Sequence, residues 1–474
     1  MMELFVEFIN VVINTYSLFI IGFFVFVNVF YFSMYAISFG AIVTYLRRHA
    51  FCDYRVIMQS ELTPPVSILA PAYNESATCI ESVNSLLRLN YPTSEVVFIN
   101  DGSKDNTLEV VVKEFDMVRT ERAYLPTIAT KPVRGIYVSR RPEYKSLIVV
   151  DKANGGKADA LNVGINVSRY PLVCAIDADS ILEDDALLKV AKPFLDDERV
   201  IAVGGIVRIA NGCKIERGHV KEVRLSNKLI PSFQVIEYYR AYLSGRMGWG
   251  AINGLLIISG AFGLFNREIV IKVGGYKHDT VGEDMELVVR MHRYCLENDR
   301  PYRVEFVPDP VCWTEAPETL KILGRQRNRW HRGLLDTLLI HKKMLFNKRY
   351  KVLGLVSTPY FVFIELLGPV IEGLGILAVG FGFYLGMVNL EIFTLFFVVS
   401  VIYGVMFSIS SVILEEISFH RYPRTRDLLK LLLLAVIENF GYRQITVWWR
   451  MKAFWDYARG VQSWGAMTRV GFKK

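Results

Sequence analysis

Leu172-Val-Cys-Ala-Ile-Asp-Ala-Asp179 is the most informative stretch of this 474-residue chain. Its apolar residues make a short strand buried on both faces, the kind found in parallel sheets. Side chains alternate along an extended chain, so Asp177 and Asp179 can project the same way from the strand's carboxyl end. Ligands of open α/β sheets bind at that end. Two hard oxygen ligands there suit Mg²⁺ or Mn²⁺, which keep positions open for substrate phosphates. The plainer reading makes these aspartates caps for a helix starting near Leu182.

Upstream, the pattern repeats. Val66-Ser-Ile-Leu-Ala-Pro-Ala reads as a strand, and Tyr73-Asn-Glu-Ser leads into a helix over 77–89. Glu95-Val-Val-Phe-Ile-Asn is a second strand, closed by the turn Asp101-Gly-Ser-Lys-Asp. Leu147-Ile-Val-Val precedes Asp151-Lys-Ala-Asn-Gly-Gly-Lys157, which opens a helix through Asn162. Strands alternating with helices predict a right-handed, parallel, Rossmann-like α/β sheet. Three strands ending in polar, acidic loops place those loops on one edge, where a nucleotide site is the simplest explanation.

Composition places this domain between membrane segments. Hydrophobic content is 52% and aromatic content 13%, while the 22% of charged residues concentrate in the middle. The net charge of +8 suits an anionic leaflet or anionic substrates. Nucleic acid is not expected as a partner, because it calls for an extended basic face interleaved with aromatics. Six scattered cysteines without a CxxC pair read as reduced thiols facing the cytosol. Residues 8–45 carry no charge and exceed the roughly 20 residues that span a bilayer. They form an anchor rather than a signal peptide. Arg47, Arg48 and His49 hold its end inside, so we expect one long helix with the N-terminus outside.

After the strand Val200–Ile209, residues 231–247 could lie in the membrane interface or form a core helix. Ser259-Gly-Ala-Phe-Gly263 is a small-residue turn where backbone can approach a ligand. Gly282-Glu-Asp-Met-Glu-Leu starts an amphipathic helix to about Leu296, where acidic residues also suit the helix dipole. Arg325-Gln-Arg-Asn-Arg-Trp-His-Arg332 is a dense basic and aromatic run, and Lys342 to Lys351 a cytoplasmic flank. Residues 352–414 are again membrane-like, with an external turn near Val388–Glu391. Residues 428–447 contain Glu438, Asn439, Arg443 and Gln444, costly in lipid, and are expected to be re-entrant or interfacial.

Six motifs in order carry a resemblance: Pro71-Ala-Tyr-Asn-Glu75, Asn100-Asp-Gly-Ser103, Gly155-Gly-Lys-Ala158 with Ala160-Leu-Asn162, Asp177-Ala-Asp179, Gly282-Glu-Asp284 and Gln326-Arg-Asn-Arg-Trp330. The set resembles the membrane-embedded family 2 glycosyltransferases, the cellulose, hyaluronan, chitin and poly-N-acetylglucosamine synthases. Two positions depart from the pattern: Asn100 replaces an aspartate and Gly282 a threonine.

The resemblance implies a cytosolic GT-A (Rossmann-like) domain over 60–335. A transmembrane anchor at 1–50 precedes it, and transmembrane or interfacial helices over 336–474 form a translocation channel. It assigns Ala72, Tyr73, Glu75 and Asp101 to the uridine, with Asp101 accepting from the base. Lys157 and Arg329 face the diphosphate. Asp179 ligates Mg²⁺ or Mn²⁺, with Asp177 on the nucleotide or metal. Gln326 and Trp330 cover the active site and face the acceptor. Asp284 is the general base, with Glu283 the other catalytic candidate.

The implied function is a processive, inverting β-glycosyltransferase of the plasma membrane. It polymerises UDP-glucose or UDP-N-acetylglucosamine onto a growing polysaccharide and secretes it, with accessory secretion proteins as further partners. Gln-Arg-x-Arg-Trp leans toward a glucan. Tyr360, Glu365, Glu372, Trp448 and Trp449 could line the channel, and Trp464–Arg469 resembles its gating segment. The rivals are a non-processive transferase acting on a polyprenyl phosphate and a catalytically silent nucleotide-binding scaffold. Gln326–Trp330 argues against the first, and Asp179, Asp284 and Trp330 against the second.

Overall fold

The computed structural model of the chain describes residues 2–50, 52–177, 180–216 and 218–461, and for residues 2–10, 14 and 310 the backbone alone. In chain order the strands are β1 (Val66–Ala72), β2 (Ser94–Asn100), β3 (Met117–Thr120), β4 (Val133–Ser139), β5 (Leu147–Lys152), β6 (Leu172–Ile176), β7 (Ile181–Leu182) and β8 (Val200–Ile209). The hairpin β9 (Lys214–Glu216) and β10 (His219–Glu222) follows, then β11 (Phe262–Asn266) and β12 (Arg303–Thr314). The ten strands other than the hairpin form one sheet in the order β3-β4-β5-β2-β1-β6-β11-β8-β12-β7.

Its centre is parallel because β1, β2, β5 and β6 are apolar on both faces and covered by helices on each side. Ala72 pairs with Asn100 and Asn100 with Asp151, so β1, β2 and β5 end level. The sheet is mixed, however, and not purely parallel. β11 runs antiparallel between β6 and β8, in the stretch where the sequence suggests only a small-residue turn. Gly205 explains how β11 fits: a Cβ there would meet the Phe262 ring at 2.3 Å. β5 also runs two residues past Val150, which brings Asp151 and Lys152 into the sheet.

Among the described residues, three helices are long and apolar enough to cross a membrane: Val11–His49, Leu353–Tyr384 and Leu390–Ser418. The first is a single continuous helix, and a turn at residues 385–389 joins the other two, with Asn389 capping the next helix at 2.8 Å. Residues 428–447 are not one straight span. The helix Thr425–Ile437 ends in a turn containing Gly441 at φ +90°, and a second helix runs Tyr442–Ala458.

Residues 229–251 form helix Leu229–Tyr239, a π-helical stretch Arg240–Arg246 and helix Met247–Ala251. Of the two readings of 231–247, the core helix is the one seen: Phe233, Ile236, Tyr239 and Leu243 are buried between the sheet and the long apolar helices. Buried polar contacts fix this junction. Arg208 of β8 binds Glu415 in a bidentate pair at 2.7 and 2.8 Å, both side chains being buried. Arg421 bridges Glu183 at 3.0 Å and Asp309 at 2.5 Å.

Candidate active site

One cavity of about 1100 Å³ opens at the carboxyl edge of β1, β2 and β6 and continues between the long apolar helices. Ala72, Tyr73, Glu75, Asp101, Lys157, Asp177, Glu283, Asp284, Gln326, Arg329 and Trp330 all line it. The sequence motifs, spread over more than half the chain, therefore meet in one place. Asp179 lies outside the described residues, as does Trp464–Arg469.

The loops after β1 and β2 are laced together. The Asp101 N–H donates to the Ala72 carbonyl at 2.9 Å, the Asn74 N–H to Ser103 Oγ at 3.0 Å, and the Glu75 N–H to Thr107 Oγ1 at 2.9 Å. Asn74 sits at φ +55°, a left-handed conformation that asparagine tolerates better than most residues. Asp101 is buried and accepts from Lys152 Nζ at 2.5 Å, Gly155 N–H at 3.0 Å, Gly156 N–H at 2.8 Å and Asn154 Nδ2 at 3.2 Å. A carboxylate offers about four acceptor positions. Those of Asp101 are thus taken by its own loops, which differs from the expectation that it accepts from a bound base.

Asn100 donates to Asp151 Oδ1 at 2.7 Å, and both side chains are buried. An aspartate at position 100 would set two buried carboxylates against each other, so Asp151 accounts for the first departure from the family pattern.

Lys157 begins the helix Lys157–Val167, and its ammonium pairs with Asp177 and reaches the Gly260 carbonyl at 3.3 Å. Burial works to lower its pKa, but Asp177, Glu283 and Asp284 outweigh burial and hold it above the ordinary value. Among the described residues, no three His, Cys, Asp or Glu side chains cluster as a ready-made metal cage. Asp177, partly exposed to the cavity, suits a different arrangement: one or two carboxylates completed by substrate phosphates, as Mg²⁺ is commonly held.

Across the cavity, Glu283 and Asp284 open the helix Glu283–Glu297. Asp284 accepts from the Gly260 N–H at 3.2 Å and the Met285 N–H at 2.8 Å. Burial, opposed by Lys157 and reinforced by Asp284, pushes the Glu283 carboxyl up to about 7. The helix Leu320–Ile340 carries Gln326, Arg329 and Trp330, whose indole is 44% exposed and therefore available as a stacking face. The two helices touch through glycines. A Cβ on Gly282 would lie 2.8 Å from the Gly333 Cα, and one on Gly333 equally close to Gly282. That contact accounts for the second departure, since a threonine at 282 would push the helices apart.

Further side chains support the residues singled out in the motifs. Lys152 and Asp159 stand behind Asp101. Arg327 pairs with Glu237 and lies 4.3 Å from the centroid of the Trp330 ring. Deeper in, Tyr31, Tyr360, Phe407, Arg443 and Arg450 line the cavity, with Arg450 on Glu365 at 3.1 Å and Arg443 on Glu372 at 3.2 Å. Trp448 and Trp449 do not line it. Trp448 is 64% exposed on the outer face, and Trp449 packs where a Cβ of Gly324 would meet it at 2.7 Å.

The chain is similar to known proteins over the same stretch. The family described as Glycosyltransferase like family 2 matches residues 138–333, and Glycosyl transferase family 2 matches residues 67–124. The chain is 32% identical over 280 residues to a poly-beta-1,6-N-acetyl-D-glucosamine synthase of Staphylococcus aureus (strain COL), covering 58% of this chain and 55% of the relative. A Staphylococcus epidermidis synthase of the same name is 29% identical over 274 residues. The chain thus spans about half the length of the curated relatives it matches. Among solved structures, a mannosyltransferase from Pyrobaculum calidifontis in complex with GDP-Man and Mn²⁺ is 17% identical with a TM-score of 0.47, over 88% of this chain and 99% of that one. The cavity motifs all fall within these two matched stretches, so the chain carries a family 2 glycosyltransferase domain.

Proposed function

We propose that this chain is a processive, inverting transferase that polymerises N-acetylglucosamine from UDP-N-acetylglucosamine and passes the polymer along its own cavity between the apolar helices. The observation that supports it best is continuity: the motif residues line the same cavity as Tyr31, Tyr360 and Phe407 of the long helices. N-acetylglucosamine is favoured over the glucan to which Gln-Arg-x-Arg-Trp leans, because the curated relatives are named as synthases of that polymer.

In this reading the transferase domain covers 60–335, behind an anchor at 1–50 and ahead of channel helices over 336–474. The basic flanks at Arg47–His49 and Lys342–Lys351 keep the domain cytosolic. The loops of Ala72–Glu75 and Asp101–Ser103 hold the uridine. Lys157 and Arg329 neutralise the diphosphate. Trp330, steadied by Arg327, stacks on the acceptor sugar, while Gln326 borders it. Asp284 takes the proton of the attacking acceptor hydroxyl, and attack opposite the leaving diphosphate inverts the anomeric centre. A divalent ion on Asp177 and Asp179 would draw charge from that diphosphate.

The test uses the purified 474-residue chain in lipid nanodiscs with labelled UDP-N-acetylglucosamine or UDP-glucose. Expected are UDP release and long polymer from the former, abolished by chelation of divalent ions. A single addition to polyprenyl phosphate, or no turnover of any UDP-sugar, would overturn the proposal.

A further inference from the structure

Behind the donor loops lies a lysine with no exposed surface. Lys152, the last residue of β5, directs its ammonium to Asp101 Oδ1 at 2.5 Å, Asp159 Oδ2 at 2.6 Å and the Ala153 carbonyl at 2.6 Å. An ammonium has three donors, and all three are used. Both carboxylates are buried as well, at 5% and 4% side-chain exposure. Each is tied to a different segment: Asp101 follows β2, whereas Asp159 lies in the helix Lys157–Val167 and also accepts from the Lys131 N–H at 3.0 Å.

We infer that Lys152 is a positioning residue for the donor nucleotide, holding the loop 153–156, and through it Lys157, in a single register. The inference rests on reading this cavity as the donor site.

Three observations carry it. First, the same Asp101 carboxylate that meets Lys152 also accepts the Gly155 and Gly156 N–H groups, so ammonium, carboxylate and loop backbone form one unit. Second, the loop has little room to slip. Gly102 stands at φ +64°, and a Cβ there would lie 2.7 Å from the Asn154 nitrogen. Third, the unit ends at Gly156, and the next residue is Lys157, whose ammonium projects into the cavity beside Asp177. Packing alone does not call for this arrangement, because apolar side chains of similar volume commonly replace buried ionic groups without loss of stability. What the charges add is a fixed geometry, since any other loop conformation leaves a buried carboxylate without its counter-ion.

The experiment compares the parent chain with Lys152→Met, Lys152→Arg and Asp159→Asn. It measures KM and kcat with UDP-N-acetylglucosamine, Kd for UDP, and thermal unfolding. Lys152→Met should raise KM and Kd by roughly ten- to a hundredfold, the equivalent of one charge-assisted hydrogen bond, with kcat at saturation near the parent's. Lys152→Arg should recover most of the loss. Asp159→Asn, which keeps the ammonium and weakens one arm, should raise KM by a smaller factor, and it carries the test if Lys152→Met does not fold. Unchanged KM in the variants that fold would overturn the inference. So would a fall in kcat with KM constant, or an arginine variant no better than methionine. A parent that neither binds UDP nor turns over a UDP-sugar overturns the proposed function itself, and is told apart by failing before any substitution.

Discussion

The two walls of the cavity differ in how their polar groups are held. Behind the donor wall, Asn74 Oδ1 accepts from the Lys104 N–H, Asn100 donates to Asp151 and Asn154 donates to Asp101, which is only 3% exposed. On the facing wall, Trp330 is 44% exposed and burial pushes the Glu283 carboxyl up to about 7. The difference teaches where flexibility is tolerated. A nucleotide is the same at every turnover and can meet a rigid, pre-satisfied surface. An acceptor that lengthens and moves needs groups left free to engage it and a carboxylate with room to take a proton.

The largest effect that should separate the walls is loss of the base. Asp284→Asn is expected to lower turnover roughly 10²–10⁴-fold, the usual worth of a general base, while UDP binds about as well as to the parent. Asp101→Ala should do the reverse, weakening UDP binding through collapse of the loop it organises. Isothermal titration with UDP beside product assays checks both. An Asp284→Asn chain that fails mainly through lost UDP affinity would erase the distinction and move the base to Glu283.

Next comes the glycine contact that sets the facing wall. Gly333→Ala places a methyl 2.8 Å from Gly282 Cα, so the start of the helix carrying Asp284 and the middle of the helix carrying Trp330 must separate. A displacement of about 1 Å can cost roughly a hundredfold in rate, so kcat should fall strongly while Kd for UDP holds. Equal losses in both would mean that the contact supports the whole domain rather than one wall.

Much of the donor wall is legible in sequence because it is local. β1, β2, β5 and β6 are short apolar runs, each closed by a polar motif, and the register of a parallel sheet brings those ends level. β12 is hidden by Pro308 and Pro310, which interrupt its strand pattern where the register shifts between Val307 and Val311. β11 is hidden by the glycines that let it pack. The reasons for Asn100 and Gly282 are nonlocal, lying in Asp151 and Gly333, each about 50 residues further along the chain. Lys152 escapes for a similar reason: a strand taken to end at Val150 leaves it in solvent, whereas two more strand residues bury it against Asp101.

A smaller effect should appear in the pH dependence of stability. Glu283 titrates near 7 in the folded chain against an ordinary value of 4.5. Between these values the folded state binds the extra proton, so stability falls as pH rises through the window. The cost is absent below about pH 4.5 and complete above about 7, reaching up to about 3 kcal/mol at 1.36 kcal/mol per unit. Glu283→Gln should therefore unfold at a higher temperature than the parent at pH 7.5 and lose that advantage at pH 4.5. The measurement is made with neither nucleotide nor divalent ion present. A variant advantage that grows toward acid would mean that Glu283 is stabilised as a carboxylate, and the facing wall would then be as internally satisfied as the donor wall.

The smallest effect tests how far the facing wall extends. Trp448 and Trp449 sit side by side on the helix Tyr442–Ala458, which also supplies Arg443 and Arg450 to the cavity. Trp448 points away at 64% exposure, and Trp449 packs against Gly324 of the helix that carries Trp330. Trp448→Ala should leave turnover and product length within about twofold of the parent, as exposed substitutions usually change free energies by no more than about 0.5 kcal/mol. Tyr360→Ala, by contrast, removes a ring that borders the cavity, and we expect shorter product at unchanged UDP affinity. Gel sizing of the polymer from both variants gives the answer. Shortened product from Trp448→Ala would mean that the polymer leaves over the outer face of this helix, and the acceptor wall would then belong to the protein's exterior rather than to its cavity.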